Sequence, residues 1–342
     1  SICKLNGCAA GARRLLSSIE SAQRKAQRQL EAELWNARNS ASELLKVSRD
    51  HSHSFESRHY ALILHQLQRV RPKRQSHLLC DGRFEQLLEG LAESAAADQG
   101  CWTPRDLAMC SHALALLAVR HQAFFDTMVA SFPAKLNRCK PQDISNVVYA
   151  LGRLRLRRDG LLLAVTEHVC GVDLITFSPQ ALSNIIHGFG VLQMRCDNML
   201  LAFAQHLPLR LDEMTHQNMS NSLYGFALLG YRHAGLLSAI ARHVAGRQQC
   251  GAAASLERFS AQAVCNIVFG LMSLAYAHRG ALHAVARHVR APGRLQTFHC
   301  RDLAALASSC VVRAAPPTAK LHRGPAGSVR RRVPQPDSAP LC

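Results

Sequence analysis

Arg120, Arg157, Arg195 and Arg232 recur at intervals of 37, 38 and 37 residues. A guanidinium stays charged and donates in a planar fork, so one Arg per interval is the pattern of a row of phosphate contacts. Arg279 nearly keeps the register, two positions late, and Arg153, Arg155 and Arg158 thicken the row around Arg157. Lys135, Arg210, Arg247, Arg290 and Arg294 add further positive charge along each interval. Few carboxylates stand close in sequence, chiefly Asp126 and Asp159, so the field of the row is expected to be largely uncompensated.

Other chemistry is scarce. His168, His206, His243 and His288 form a second periodic column, each followed by Val or Leu. Packed helices stand roughly 10 Å apart, too far for successive units to share one metal ion, so packing is the expected role. His51 and His53 are isolated, and no HExxH or Cys/His zinc spacing occurs. No nucleophile–base pair or phosphate loop is visible, so no catalytic residue, cofactor, metal or small-molecule substrate is expected, and the chain reads as a non-enzyme. The thirteen Cys are scattered and never form CxxC, as buried thiols of a reducing compartment would be. A net charge of +18 favours a polyanionic partner. A membrane surface is the competing polyanion, but no apolar run is long enough to span one.

The elements that must hold these side chains repeat. "FSPQALSNIIHGFGVL" at 177–192 and "MTHQNMSNSLYGFALL" at 214–229 are one phrase written twice. Anchoring on its Asn gives Asn146, Asn184, Asn221 and Asn266, spaced 38, 37 and 45. The insert "GRQQCGAAASLE" at 246–257 accounts for the long spacing, and the phase extends to Met109 and Ala305, making six units. Six residues before each anchor stand Thr103, Lys140, Ser178, Thr215, Ser260 and His299, mostly good helix N-caps. Pro104, Pro141 and Pro179 follow at the first helical position. The pairs Trp102/Leu107, Cys139/Ile144, Phe177/Leu182, Met214/Met219, Phe259/Val264 and Phe298/Leu303 have hydrophobic-staple spacing.

Downstream, Ala113, Ala150, Gly188, Gly225, Gly270 and Ser309 form a small column. Small residues in mid-helix sacrifice propensity, so a neighbouring helix must come close. His112, Tyr149, His187, Tyr224 and Phe269 precede them and read as core plugs between repeats. A second amphipathic segment follows each first one, as in "DGLLLAVTEHV" and "AGLLSAIARHV". The expected fold is all-α, an α-solenoid of stacked helical hairpins with a 37–38-residue repeat. Its units lie near 102–138, 139–176, 177–213, 214–258, 259–297 and a partial 298–310. Before them come a basic helical extension over 1–50 and a degenerate first hairpin over 51–101, and after them a basic, Pro-rich extended tail over 311–342.

The string S-P-Q-x-L-S-N-φ-φ-(ring)-G-φ-(small)-x-L resembles the octotricopeptide and heptatricopeptide repeats of organellar RNA-binding proteins, akin to FAST-kinase-like mitochondrial proteins. The resemblance covers 102–310 and is strongest over 178–192 and 215–229. It implies an RNA-binding solenoid in a mitochondrion, or alternatively a plastid. Many relatives end in a RAP domain, which is not recognisable here. The expected function is a structural component of a mitochondrial ribosome that holds fragmented rRNA beside neighbouring ribosomal proteins. A transcript maturation or stability factor is the alternative, and a protein-binding α-solenoid scaffold the rival of another class. Within this frame the basic residues of the first paragraph are the expected RNA contacts. Asn146, Asn184, Asn221 and Asn266 vary too little to read bases, so they are expected to tie down an inter-helix loop rather than contact RNA, and Gln142, Gln180, Gln217 and Gln262 are read the same way. Asp106, Asp143 and Asp302 in the next column read as ordinary helix starts.

Overall fold

The computed structural model describes residues 21–22, 24–70, 75–97, 100–246, 256–299, 302–304 and 306. Among these the structure is all-helical, and its helices pack in neighbouring pairs as a solenoid-like stack. It opens with α1 (24–37) and α2 (Ala41–His51). Next come α3 (Ser57–Val70), α4 (Gln75–Leu79), α5 (Gly82–Ala96), α6 (Pro104–Leu116), α7 (Gln122–Ser131) and α8 (Pro141–Leu154). The rest are α9 (Asp159–Cys170), α10 (Pro179–Val191), α11 (Asp197–His206), α12 (His216–Leu228), α13 (Ala234–Ala245), α14 (Ala261–Ser273) and α15 (Arg279–Arg290). Helices α3, α6, α8, α10, α12 and α14 pack side by side in one layer, the A helices. Helices α5, α7, α9, α11, α13 and α15 form the second layer, the B helices, and a short 3₁₀ turn precedes most A helices.

Local chemistry sets each A helix. Thr103, Ser178, Thr215 and Ser260 accept a hydrogen bond from the backbone N–H three residues on, closing one of the orphan donors of the first turn. Lys140 cannot do this. Instead its backbone N–H donates to Asp143 at 2.9 Å. Asp106 is buried and accepts from both Thr103 and Ser57, tying α6 to α3. These acids do what helix starts require. Most of the hydrophobic partners flanking the caps, such as Phe177 with Leu182 and Phe259 with Val264, are buried.

The small column lies where helices touch. A Cβ added at Gly188 would stand 2.6 Å from Val148 Cγ1 and 2.7 Å from its carbonyl oxygen, and Gly225 meets Ile186 at the same distances. Gly152 approaches the Cα of Gly188, and Gly190 that of Gly225. Each Gly costs about 1 kcal/mol of helix propensity, which the close A-on-A packing must offset. The A helices pack more closely on one another than the B helices do.

The five A helices from α6 to α14 end alike. Ala118, Arg155, Gln193, Gly230 and Ala275 take left-handed φ between 52° and 61°. The residue after each returns a hydrogen bond five residues back, as in Leu156 to Leu151 and Met194 to Phe189. This is the Schellman closure, built here with Gly in only one of five cases.

Candidate nucleic-acid interface

An A helix is walled by a neighbour on each side and by the B layer beneath. Only a narrow stripe is left to solvent, at positions −4, 0, +3 and +7 from the anchor. In α8 the stripe is Gln142, Asn146, Tyr149 and Arg153, and in α10 it is Gln180, Asn184, His187 and Val191. Gln217, Asn221, Tyr224 and Leu228 continue it on α12, and Gln262, Asn266, Phe269 and Ser273 on α14. On α6 it reads Arg105, Met109, His112 and Leu116. The same register on α3 gives Arg58, Leu62, His65 and Arg69. The Gln row is exposed, and the anchor and ring rows are half-buried.

This corrects two expectations. The rings do not plug the core between repeats but line the outer face of the A layer, and His65 joins them. Their centroids lie 5.4 Å apart for His112–Tyr149, 6.0 Å for His187–Tyr224 and 5.2 Å for Tyr224–Phe269. The four anchor Asn tie down no loop, since their side chains make no hydrogen bond among the described residues. Constancy was read as scaffold, but a constant row can equally be a surface that treats every repeat alike.

The stripe carries no carboxylate on any of the six helices. Its charge is all positive and lies toward the first three units, in Arg58, Arg69, Arg105 and Arg153. Arg58 is paired with Glu31 and Glu56. Arg155, exposed on its left-handed turn, projects its charge as far as Tyr224, whose phenol burial pushes up and Arg155 pulls back down. Burial lowers the pKa of His65, His112 and His187, so these imidazoles favour the neutral ring. Neutral rings, primary amides and a few guanidiniums can stack on bases and bond their edges.

The periodic Arg row lies on the rim, where the paired helices turn, and two of its four members are paired with carboxylates. Arg157 binds Asp159 at 2.6 Å and Arg195 binds Asp197 at 2.6 Å. The same guanidiniums reach the next unit: Arg157 donates to the carbonyls of Leu192 and Gln193, and Arg195 to that of Leu229. Arg232 donates to Leu274 O at 3.1 Å. These acceptors belong to the final turn of an A helix, whose carbonyls lack partners within the helix and whose dipole favours a cation. Arg195 also sits 5.6 Å from the Tyr231 ring. Arg153 reaches back to Ala115 O, and Arg158 pairs with Asp126. Arg120 is exposed and makes no such bond among the described residues.

Basic residues at the opposite rim behave alike. Lys135 donates to Trp102 O, Arg210 to Phe177 O and Arg294 to Glu257 O, each reaching the turn before the preceding A helix. Arg210 is also paired with Glu213. Arg279 and Arg290 are exposed at the ends of α15, while Arg247 lies outside the described residues. Of the B-helix His column, His168, His206 and His243 are half-buried and His288 is buried. Among the described residues no group of three His, Cys, Asp or Glu could hold a metal ion. Among the described residues no helix is long and apolar enough to cross a membrane.

The chain matches no protein-family model, and no characterised protein matches it in sequence.

Proposed function

We propose that the protein binds single-stranded RNA along the outer stripe of its A helices. The observation that carries this is the six-unit row of half-exposed rings, flanked by amides in four units and free of carboxylates. Base–aromatic stacking contributes about 1–3 kcal/mol per base and tolerates any sequence. The Asn and Gln rows add donors and acceptors for base edges, and Arg105, Arg153 and Arg155 supply phosphate partners at the N-terminal half. The rim arginines Arg157, Arg195 and Arg232 have a different task, joining repeats. An organellar setting, with a structural place beside rRNA in a mitochondrial ribosome, follows from the resemblance to octotricopeptide repeats. A transcript factor uses the same stripe.

The test is fluorescence anisotropy with a single-stranded RNA and the same sequence in duplex form. Preference for the single strand, with loss of about tenfold or more in a Tyr149→Leu/Tyr224→Leu double variant, supports the reading. Equal affinity for the duplex, or a double variant that binds like the parent, overturns it. A protein-binding scaffold would then be the better account.

A further inference from the structure

At the head of the stack the A ladder runs out. In inner units the small column faces the preceding A helix, as Gly188 does α8 and Gly225 does α10. The equivalent position on α3 is Gln66, and among the described residues no A helix precedes it. The end of α1 and its following turn stand there instead, leaving a cavity of about 300 Å³ lined by Trp35, Arg38, Asn39, Gln66, Arg69 and Val70. That volume is at the small end of ligand pockets, which pair an apolar wall with a few convergent polar groups.

Its lining is unusual in two ways. Trp35 is 57% exposed although Trp is normally well covered, and the Arg38 guanidinium lies 4.4 Å over its ring while bonding Trp35 O at 2.7 Å. Ring and guanidinium form one flat, electron-rich and cationic platform, fixed before anything binds. Gln66 is only 7% exposed yet makes no hydrogen bond among the described residues. Its amide still reaches the cavity, so a ligand offering a donor and an acceptor can meet it there.

We infer that this pocket binds a single nucleotide. The base stacks on the Trp35–Arg38 platform and its edge bonds the amides of Gln66 and Asn39, while Arg69 takes the phosphate. Arg69 opens the sequence "RVRPKR", which adds charge nearby in the chain. The nucleotide is either free or the terminal one of an RNA lying on the stripe, and the second form rests on the RNA-binding reading above.

The experiment uses the full chain and its own tryptophans, since Trp102 is buried and Trp35 is not. Adenosine 5′-monophosphate is titrated while the long-wavelength emission of Trp35 is followed. Saturable quenching is expected, absent in Trp35→Phe and weakened about tenfold in Gln66→Leu, whose melting temperature should be unchanged or higher. Quenching that stays linear like that of free tryptophan amide, or Gln66→Leu binding as tightly as the parent, overturns the inference. Displacement of the nucleotide by a 5′-phosphorylated single strand supports the strand-borne occupant, and saturation without displacement supports the free one. The Tyr149→Leu/Tyr224→Leu variant should keep the nucleotide response. Loss of the stripe reading and loss of the pocket therefore leave different signatures.

Discussion

The rim arginines and the ring stripe are equally periodic, yet they face opposite ways in energy. Arg157, Arg195 and Arg232 already have partners in the next unit, so their period is that of the fold. The rings at 149, 187, 224 and 269 are half-exposed, and none of them makes a side-chain hydrogen bond among the described residues, so their period is available to a ligand. Periodicity marks what every repeat shares. Only the inventory of partners separates a strut from a contact.

The widest gap between the two regions should appear when the stack itself is broken. Gly188→Val drives two methyls against Val148, including a backbone oxygen that cannot rotate away. A loss of roughly 3 kcal/mol is expected, measured by urea unfolding. Gly160, on a B helix with nothing within 4 Å of an added Cβ, gives the contrast. Gly160→Ala should stabilise by about 0.4–1 kcal/mol. Equal effects at the two sites would mean that the A helices do not meet through their glycines.

Next in size is a ligand effect. Tyr224→Phe keeps the ring and should keep RNA affinity within about twofold, whereas Tyr224→Leu should lose about tenfold with little change in melting. A Tyr224→Phe variant as weak as Tyr224→Leu would shift the credit from ring to hydroxyl.

Arg232→Gln should then do the reverse. It removes a donor to Leu274 O, so the melting temperature should drop by about 2 °C while RNA affinity and its salt slope hold. Arg155→Gln leaves no backbone acceptor behind, and should flatten the salt slope by roughly 0.7 without a change in melting. If the two variants exchanged behaviour, the division between rim and stripe would fall.

Much of this fold was legible because its signals are local. A cap reads from Ser178 and the backbone three residues on, and Gly225 reads from the cost of placing it in mid-helix. The faces were harder. A helix walled on three sides inverts the usual amphipathic pattern, so its narrow exposed stripe holds Tyr224 and Asn221, residue types that resemble core and scaffold. The arginine struts had no sequence signature at all. Arg157 and Arg195 find carbonyls 34 to 36 residues away, and every residue owns a carbonyl. Asp197 stands as close to Arg195 in sequence as Asp159 does to Arg157, so half of the row carries its own acid.

The smallest expected effect tests whether the stripe is also a source of acid sensitivity. Burial lowers the pKa of His187 below 6.5, so in the folded state the ring resists a proton that the unfolded chain accepts. The unfolded state therefore binds more protons over the window between the folded value and 6.5. Stability is full above that window, falls as pH drops through it, and loses nothing more from this group below. His59, His112 and His206 shift in the same direction, also through burial first, so the parent should melt lower at pH 5 than at pH 7.5. His121 adds to this because its Nδ1 accepts from the Phe124 N–H, which an imidazolium cannot do. His187→Phe keeps a ring against Tyr224 and removes one titrating group, so the difference in melting between the two pH values should shrink slightly. RNA affinity at pH 7.5 should hold, because the stacking face remains. Should His187→Phe keep the whole pH difference but lose RNA, the imidazole would be bonding a base edge, and the ring row would read sequence at that unit.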